Sequence, residues 1–204
     1  MKTLTRKQKG FSLIEVLIAV TILSIGLLAI AGLQVSSKQA VYDSVQRTVA
    51  TQLAQDMIER MRANRGVLDL YVGQTLGGGT ISTAPTDCSS VSCSDGGGIA
   101  GTKIASYDLW QWERALDGFS ERVGSTNTGG LQSPTGCITG PTTGGSGIYR
   151  ITIAWRGVQS IDNSSLDSCG NSSDLYNEDN NADDNKFRRL ISIDTYISET
   201  GTGT

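Results

Sequence analysis

The stretch "KGFSLIEVLIAVTILSIGLL", residues 9–28, decides how this chain is organised. Between residues 11 and 33 only Glu15 is charged. At about 1.5 Å per residue, a helix of that length spans roughly 35 Å, which is enough to cross the hydrocarbon core of a bilayer. A carboxylate in such a helix costs about 2.5–3.5 kcal/mol at the bilayer centre and less near its edge. Glu15 is therefore a candidate functional residue that needs a partner.

Basic residues before Gly10 fix the orientation of this segment. They are Lys2, Arg6, Lys7 and Lys9. Because positively charged flanks stay in the cytoplasm, the chain after Leu33 is expected to cross the membrane. Three outcomes then compete: secretory cleavage after Ala31, a plain uncleaved anchor, and cleavage between Gly10 and Phe11.

The string "GFSLIE", residues 10–15, resembles the cleavage motif of type IV prepilins. In that family a basic leader ends in Gly, the next residue is usually Phe, and a Glu follows four residues later. The resemblance implies that a prepilin peptidase cuts between Gly10 and Phe11 and that Phe11 becomes the amino-methylated mature terminus. It also implies that Glu15 of one subunit meets the Phe11 amine of its neighbour in a filament, an attraction that low dielectric strengthens. The competing interpretation is that Glu15 has no partner in a neighbouring subunit and that its carboxylate reaches the lipid headgroups at the membrane edge.

An apolar stripe at helical spacing continues beyond the membrane segment. Its members are Val41, Val45, Val49, Leu53, Met57 and Met61, with Ala50, Ala54 and Ile58 beside them. The pattern predicts one helix over about 11–64, apolar nearly all round in its first half and one-sided in its second. Two i,i+4 ion pairs are expected on it, Asp43–Arg47 and Asp56–Arg60.

The remaining residues, 66–204, predict a head that begins with a loop-rich region. Residues 73–105 are dominated by Gly, Ser and Thr and predict little regular structure. A short helix should follow, capped by Ser106 and ended by Gly118. Its apolar side chains fall at spacings that predict core packing: Leu109, Trp112 and Leu116.

Two stretches, 148–156 and 189–197, alternate as strands do, and 136–139 adds a short third strand. The shared faces hold Tyr149, Ile151, Ile153 and Trp155 in the first, and Ile191, Ile193 and Ile197 in the second. A small antiparallel sheet that buries these faces against the long helix explains both patterns. The prediction is an α+β, pilin-like fold. Its segments are a leader (1–10), a membrane and assembly helix (11–33), an amphipathic stalk (34–65) and a head (66–204).

Four cysteines lie beyond the membrane segment: Cys88, Cys93, Cys137 and Cys169. Behind an export signal they predict two disulfides, with three possible pairings, and a zinc site is the rival interpretation. The spacing of "CSSVSC", 88–93, is compatible with a local bridge, which would leave Cys137 to pair with Cys169.

An acidic, Asn-rich run at 174–186 resembles part of a calcium loop. Asp179, Asn181 and Asp183 match its first three ligand positions. However, Asp184 stands where Gly is required and Leu190 where the bidentate Glu belongs, so a solvated loop is favoured and no metal is predicted.

Composition argues against catalysis and against nucleic acid as a partner. The chain has 17 basic residues, 20 acidic residues and no histidine. Its net charge of -3 becomes -7 when a leader with four basic and no acidic residues is removed, and phosphate binding needs a basic face. Without imidazole or a catalytic motif, no enzyme and no cofactor is predicted.

Further strings extend the resemblance to the PilV family of minor pilins. They are "AQDMIERMRANR" at 54–65, "YDLWQW" at 107–112, "GCI" at 136–138 and "AWRG" at 154–157. The resemblance implies a subunit that is incorporated into or primes a type IV pilus and supports assembly, adhesion or twitching motility. The partners it implies are prepilin peptidase, other minor and major pilins, the inner-membrane assembly platform and the lipid bilayer.

That resemblance also implies a single-pass inner-membrane protein with a periplasmic head, which moves to the cell-surface pilus on assembly. Three rival functions remain open. They are a minor pseudopilin of type II secretion, an anchored periplasmic enzyme or binding module, and an anchored adhesin that never polymerises.

Overall fold

The structure is a computed structural model that describes residues 10–78, 80–81, 84–85, 99–119, 121–124, 126–161, 167–171, 174–177 and 185–199. The helices are α1 (Leu13–Ala63), a 3₁₀ helix (Arg65–Leu70), α2 (Ile99–Leu116) and a second 3₁₀ helix (Asp174–Tyr176). The strands are β1 (Thr75–Leu76), β2 (Arg122–Val123), β3 (Thr126–Asn127), β4 (Thr135–Thr139), β5 (Gly147–Arg156) and β6 (Arg188–Ile197). This is the predicted α+β, pilin-like architecture, a long amino-terminal helix with a small antiparallel sheet.

The chain divides within α1 into two units, residues 1–42 and 43–204. In the first unit the apolar side chains from Phe11 to Val35 are exposed. By length and composition this part of α1 is apolar enough to cross a membrane. An all-round apolar helix that its own chain leaves uncovered needs lipid or other helices as its surroundings.

The second unit is built around an antiparallel sheet with the strand order β1-β4-β5-β6. Its longest ladder joins β5 to β6, from Gly147 opposite Ile197 to Arg156 opposite Arg188. On β5, Tyr149, Ile151 and Ile153 are fully buried, as their alternation predicts. Strands β2 and β3 form a separate hairpin.

The core lies between one face of the sheet, the last four turns of α1 and the inner face of α2. It includes Ala54, Met57 and Met61 from α1, Leu109, Trp112 and Leu116 from α2, and Ile151 and Ile153 from β5. The three α2 residues predicted as core are 7%, 0% and 0% exposed. The sheet and both helices thus bury their apolar faces against one another.

The apolar stripe on α1 is covered only from its middle onward. Val45, which belongs to this stripe, is 52% exposed, whereas Ala50 is fully buried. Helical periodicity shows which face is apolar and not where the covering element begins, so the stripe did not predict the exposure of Val45. Of the two expected ion pairs, the described chain forms only Asp56–Arg60, at 2.8 Å.

Helix α2 begins at Ile99, well before the predicted cap at Ser106. Ser106 lies inside the helix, where its Oγ donates to the carbonyl of Thr102 at 3.0 Å, so the capping assignment was wrong. The predicted end is close to the observed one. Gly118 has a φ of +69°, and Phe119 N–H donates to the carbonyl of Arg114, a bond typical of a glycine-terminated helix.

Candidate functional site

The predicted cleavage position lies directly before α1. Gly10 and Phe11 precede the helix, which begins at Leu13, so the peptide bond that joins them makes no intrahelical hydrogen bond. Phe11 is 84% exposed. A peptidase needs this kind of accessible, non-helical backbone at the bond that it cuts.

Glu15 lies in the first turn of α1, and its N–H donates to the carbonyl of Ser12 at 3.1 Å. Phe11 and Glu15 line one groove of about 400 Å³, whose other walls are Val16, Ala19, Val20 and Leu23. The helix macrodipole favours a carboxylate at this end. Of the predicted site residues, Phe11 and Glu15 therefore share one groove, with apolar walls around the carboxylate.

A disulfide joins Cys137 of β4 to Cys169, with an S–S distance of 2.01 Å. It fixes residues 167–171 against the face of the sheet opposite the core. Cys169 N–H donates to Asp167 at 2.9 Å, and the guanidinium of Arg188 donates to the carbonyl of Cys169 at 2.9 Å. This cover explains why Thr152, predicted on the polar face of β5, is buried. Cys88 and Cys93 lie outside the described residues, so their pairing stays a prediction.

A polar cluster joins the end of α1 to α2. Arg60 donates to Asp56 at 2.8 Å and to Asp108 at 3.0 Å, and Tyr71 Oη donates to Asp108 at 2.7 Å. Burial raises the pKa of Tyr71, and its hydrogen bond to the Asp108 carboxylate raises it further. Because every charged group here has a partner inside the protein, the cluster holds the helices together.

Glu113 is a buried carboxylate that sequence reasoning did not single out. It is 1% exposed and accepts hydrogen bonds from the backbone N–H groups of Gly77, Thr80 and Ile81, at 3.0, 2.6 and 2.7 Å. Backbone donors leave no signal in the sequence, so its role could not have been read from side-chain patterns. It anchors the segment that follows β1 to α2.

In the part of the chain that the structure covers, no group of three or more possible metal ligands occurs. The calcium alternative rested on Asp179, Asn181 and Asp183, which fall outside the described residues. A cavity of about 560 Å³ lies beside the Cys137–Cys169 disulfide and is lined by both polar and apolar residues.

Two family models match consecutive segments of the chain. One, described as a prokaryotic N-terminal methylation motif, matches residues 5–31, and the other, described as type IV pilin Tt1218, matches residues 32–110. Together the two matches support the interpretation of the chain as a type IV pilin. No curated protein and no solved structure matches the chain. Type IV pilins are structural proteins and not enzymes, and a pilin with this motif implies processing by prepilin peptidase and assembly with other pilins.

The boundary between the two matches falls inside α1. The first covers most of the exposed apolar helix and the residues just before it, and the second covers the rest of α1, β1 and most of α2. The apolar helix and the methylation motif fit membrane anchoring followed by pilus assembly. Strands β4, β5 and β6 lie beyond both matches. Neither family model therefore covers the part of the head that holds the disulfide.

Proposed function

We propose that the chain is a minor pilin that is cut between Gly10 and Phe11, methylated on Phe11, and then incorporated into a type IV pilus or used to prime its assembly. The observation that carries the proposal is the position of "GFSLIE" at the start of a helix whose apolar side chains its own chain leaves exposed. An ordinary secretory signal would be discarded with that helix. A pilin keeps it as the assembly element.

The chemistry of assembly follows from the groove shared by Phe11 and Glu15. Cleavage creates an amine at Phe11 that stays protonatable after methylation. When the helix leaves lipid and enters a bundle of neighbouring helices, the Glu15 carboxylate of one subunit pairs with the Phe11 amine of the next. Low dielectric strengthens that attraction, which offsets the desolvation of both ions.

The finer assignment is to the PilV family, on the strings at 54–65 and 107–112. In that role the protein is held in the inner membrane with its head in the periplasm, is assembled on the inner-membrane platform, and reaches the cell surface in the fibre with other minor and major pilins. It then supports adhesion or twitching motility.

A minor pseudopilin of type II secretion has the same parts and is the main alternative. A periplasmic binding module with a retained anchor is the alternative from another class.

The mature terminus tests the processing step. Mass spectrometry of the protein from membranes and sheared fibres should find methylated Phe11 as the first residue. A terminus at Gly32 would show secretory cleavage, and one at Met1 a plain anchor. Either result would overturn the proposal.

Assembly is tested by Glu15→Ala, compared with Ser24→Ala on the same exposed helix. Glu15→Ala should leave a cleaved, membrane-held protein that is depleted from sheared fibres, whereas Ser24→Ala should be recovered as the wild type is. Normal recovery of Glu15→Ala would refute the assembly contact. Recovery of the wild type with secretion components instead of fibres would favour the pseudopilin.

A further inference from the structure

A cleft of about 360 Å³ lies in the second unit, between α1 and the edge strand β6. Its walls are Asp43, Ser44 and Arg47 of α1, Trp155 of β5, and Arg189 and Leu190 of β6. It is separate from the amino-terminal groove and from the disulfide, and the assembly contact does not use any of its residues.

Three polar atoms of these walls are buried without a hydrogen-bond partner among the residues that the structure covers. They are Asp43 Oδ1, Trp155 Nε1 and Arg189 Nη1. Trp155 is 97% buried, since only 3% of it is exposed. Trp112 provides the contrast, because its Nε1–H donates to the carbonyl of Leu53 at 2.8 Å.

Folded proteins rarely leave buried polar groups unpaired, because such groups have lost water and gained nothing in exchange. Arg189 already uses its other nitrogen, Nη2, to donate to the carbonyl of Gln159 at 2.6 Å. Asp43 lacks the predicted ion pair with Arg47, whose side chain is exposed. Two unpaired donors and one unpaired acceptor therefore belong to residues that line the same cleft.

This set of groups selects the chemistry of the occupant. A carboxylate would satisfy the two donors but would bring like charge to Asp43 Oδ1. A primary carboxamide matches all three by hydrogen-bond type, since its oxygen can accept from Trp155 and Arg189 and its NH₂ can donate to Asp43. Asn and Gln carry that group.

A macromolecule is favoured as the source of this carboxamide because apolar surface adjoins the cleft. Val45, which follows Ser44 on α1, is 52% exposed although it belongs to the stripe that covers the core further along the helix. A small solute in the cleft would leave this valine in water, whereas a packed protein surface would cover it.

We propose that the cleft receives an Asn or Gln side chain of a neighbouring pilin subunit, which completes the hydrogen bonds of Trp155, Arg189 and Asp43. This rests on the proposed function, since it requires assembly. The three atoms are shielded from solvent in the single chain, so entry requires side chains that line the cleft to move.

The test uses full-length variants expressed in piliated cells, with fibre and membrane fractions quantified. Trp155→Phe keeps an aromatic ring and removes the N–H. It should lower the fibre-to-membrane ratio about fivefold, the equilibrium effect of one ordinary hydrogen bond. Trp112→Phe is the matched control: its N–H is used internally, so it should lower the melting temperature of the detergent-solubilised protein without lowering that ratio.

Asp43→Ala identifies the occupant. If the occupant is a carboxamide, Asp43→Ala removes the acceptor of its NH₂ group and should lower the fibre-to-membrane ratio. If the occupant is a carboxylate, the same substitution removes a like charge and should raise that ratio. A higher fibre-to-membrane ratio for Asp43→Ala, or an unchanged ratio for either Trp155→Phe or Asp43→Ala, would overturn the proposal. Normal recovery of Glu15→Ala, or absence of the wild type from fibres, would instead refute the proposed function.

Discussion

The indole N–H of Trp112 donates to the backbone carbonyl of Leu53 at 2.8 Å, so the centre of α2 is tied directly to α1. The same ring lies on the sheet, over Gly136 of β4. One side chain therefore contacts all three parts of the core. This contact explains why α2 holds a fixed position against α1.

Gly136→Ala should destabilise the head because the new methyl group would meet Trp112. A Cβ placed at Gly136 lies 2.4 Å from Cη2 and 2.7 Å from Cζ3 of the indole. Overpacking of this kind costs about 1–3 kcal/mol. Gly66→Ala is the matched control, since nothing lies within 4 Å of its Cβ position. Urea unfolding of the full-length protein in detergent measures both, and equal midpoints would contradict the expected clash.

Trp112→Phe should also lower the free energy of unfolding, for a different reason. The substitution removes the donor to Leu53 and part of the ring that fills the core. The lost hydrogen bond alone accounts for about 0.5–1.5 kcal/mol, and the smaller ring adds a packing cost. Thermal melting in detergent measures the effect, and an unchanged melting temperature would show that this bond contributes nothing to stability.

Glu113→Gln should loosen the segment after β1. The carboxylate accepts three backbone N–H groups, whereas the amide of Gln has one oxygen and presents its NH₂ to another donor. Hydrogen bonds to a charged group contribute about 1.5–3 kcal/mol each. Amide hydrogen exchange at residues 77–81 should therefore accelerate while exchange in β5 stays slow. Unchanged exchange at 77–81 would show that Glu113 is not the anchor.

Periodic patterns predicted α1, β5, β6 and the core face of α2 because each buries one face, and burial of one face imposes a regular spacing of apolar residues. The start of α2 was missed for a physical reason. Gly101 argued against a helix, yet it lies in α2 where a Cβ would come within 3.1 Å of Val67 and its carbonyl accepts from Asn64. The glycine permits close packing against the 3₁₀ helix, which no local pattern reveals.

The candidate site divides in the same way. Gly10, Phe11 and Glu15 form a local motif, so sequence alone placed them together. The unpaired atoms of Asp43, Trp155 and Arg189 come from α1, β5 and β6, and only the tertiary fold brings them to one cleft.

Loss of the Cys137–Cys169 disulfide should destabilise the head strongly. The two residues are 32 apart in sequence, and closing a loop of that length stabilises a fold by about 3–4 kcal/mol through the unfolded state. The double variant Cys137→Ser/Cys169→Ser should therefore unfold at a much lower urea concentration. Cys88→Ser/Cys93→Ser is the control, because the bridge predicted between them would close a much shorter loop and would stabilise the fold less. Equal effects of the two pairs would argue against the loop-length explanation.

Tyr71 should make the head sensitive to alkali. Burial raises the pKa of its phenol above the ordinary value of about 10, and the hydrogen bond to Asp108 adds to the shift. The folded state thus holds this proton more tightly than the unfolded state. The resulting stabilisation is complete below pH 10 and is lost as the pH rises from 10 towards the raised pKa.

Urea midpoints measured from pH 8 to about pH 11.5 should therefore fall at the alkaline end. Tyr71→Phe, which has no proton to lose, should fall less steeply, although Tyr149 and Tyr176, whose pKa values are also raised by burial, will leave part of the slope. Parallel curves for the wild type and Tyr71→Phe would show that the stability does not depend on this proton.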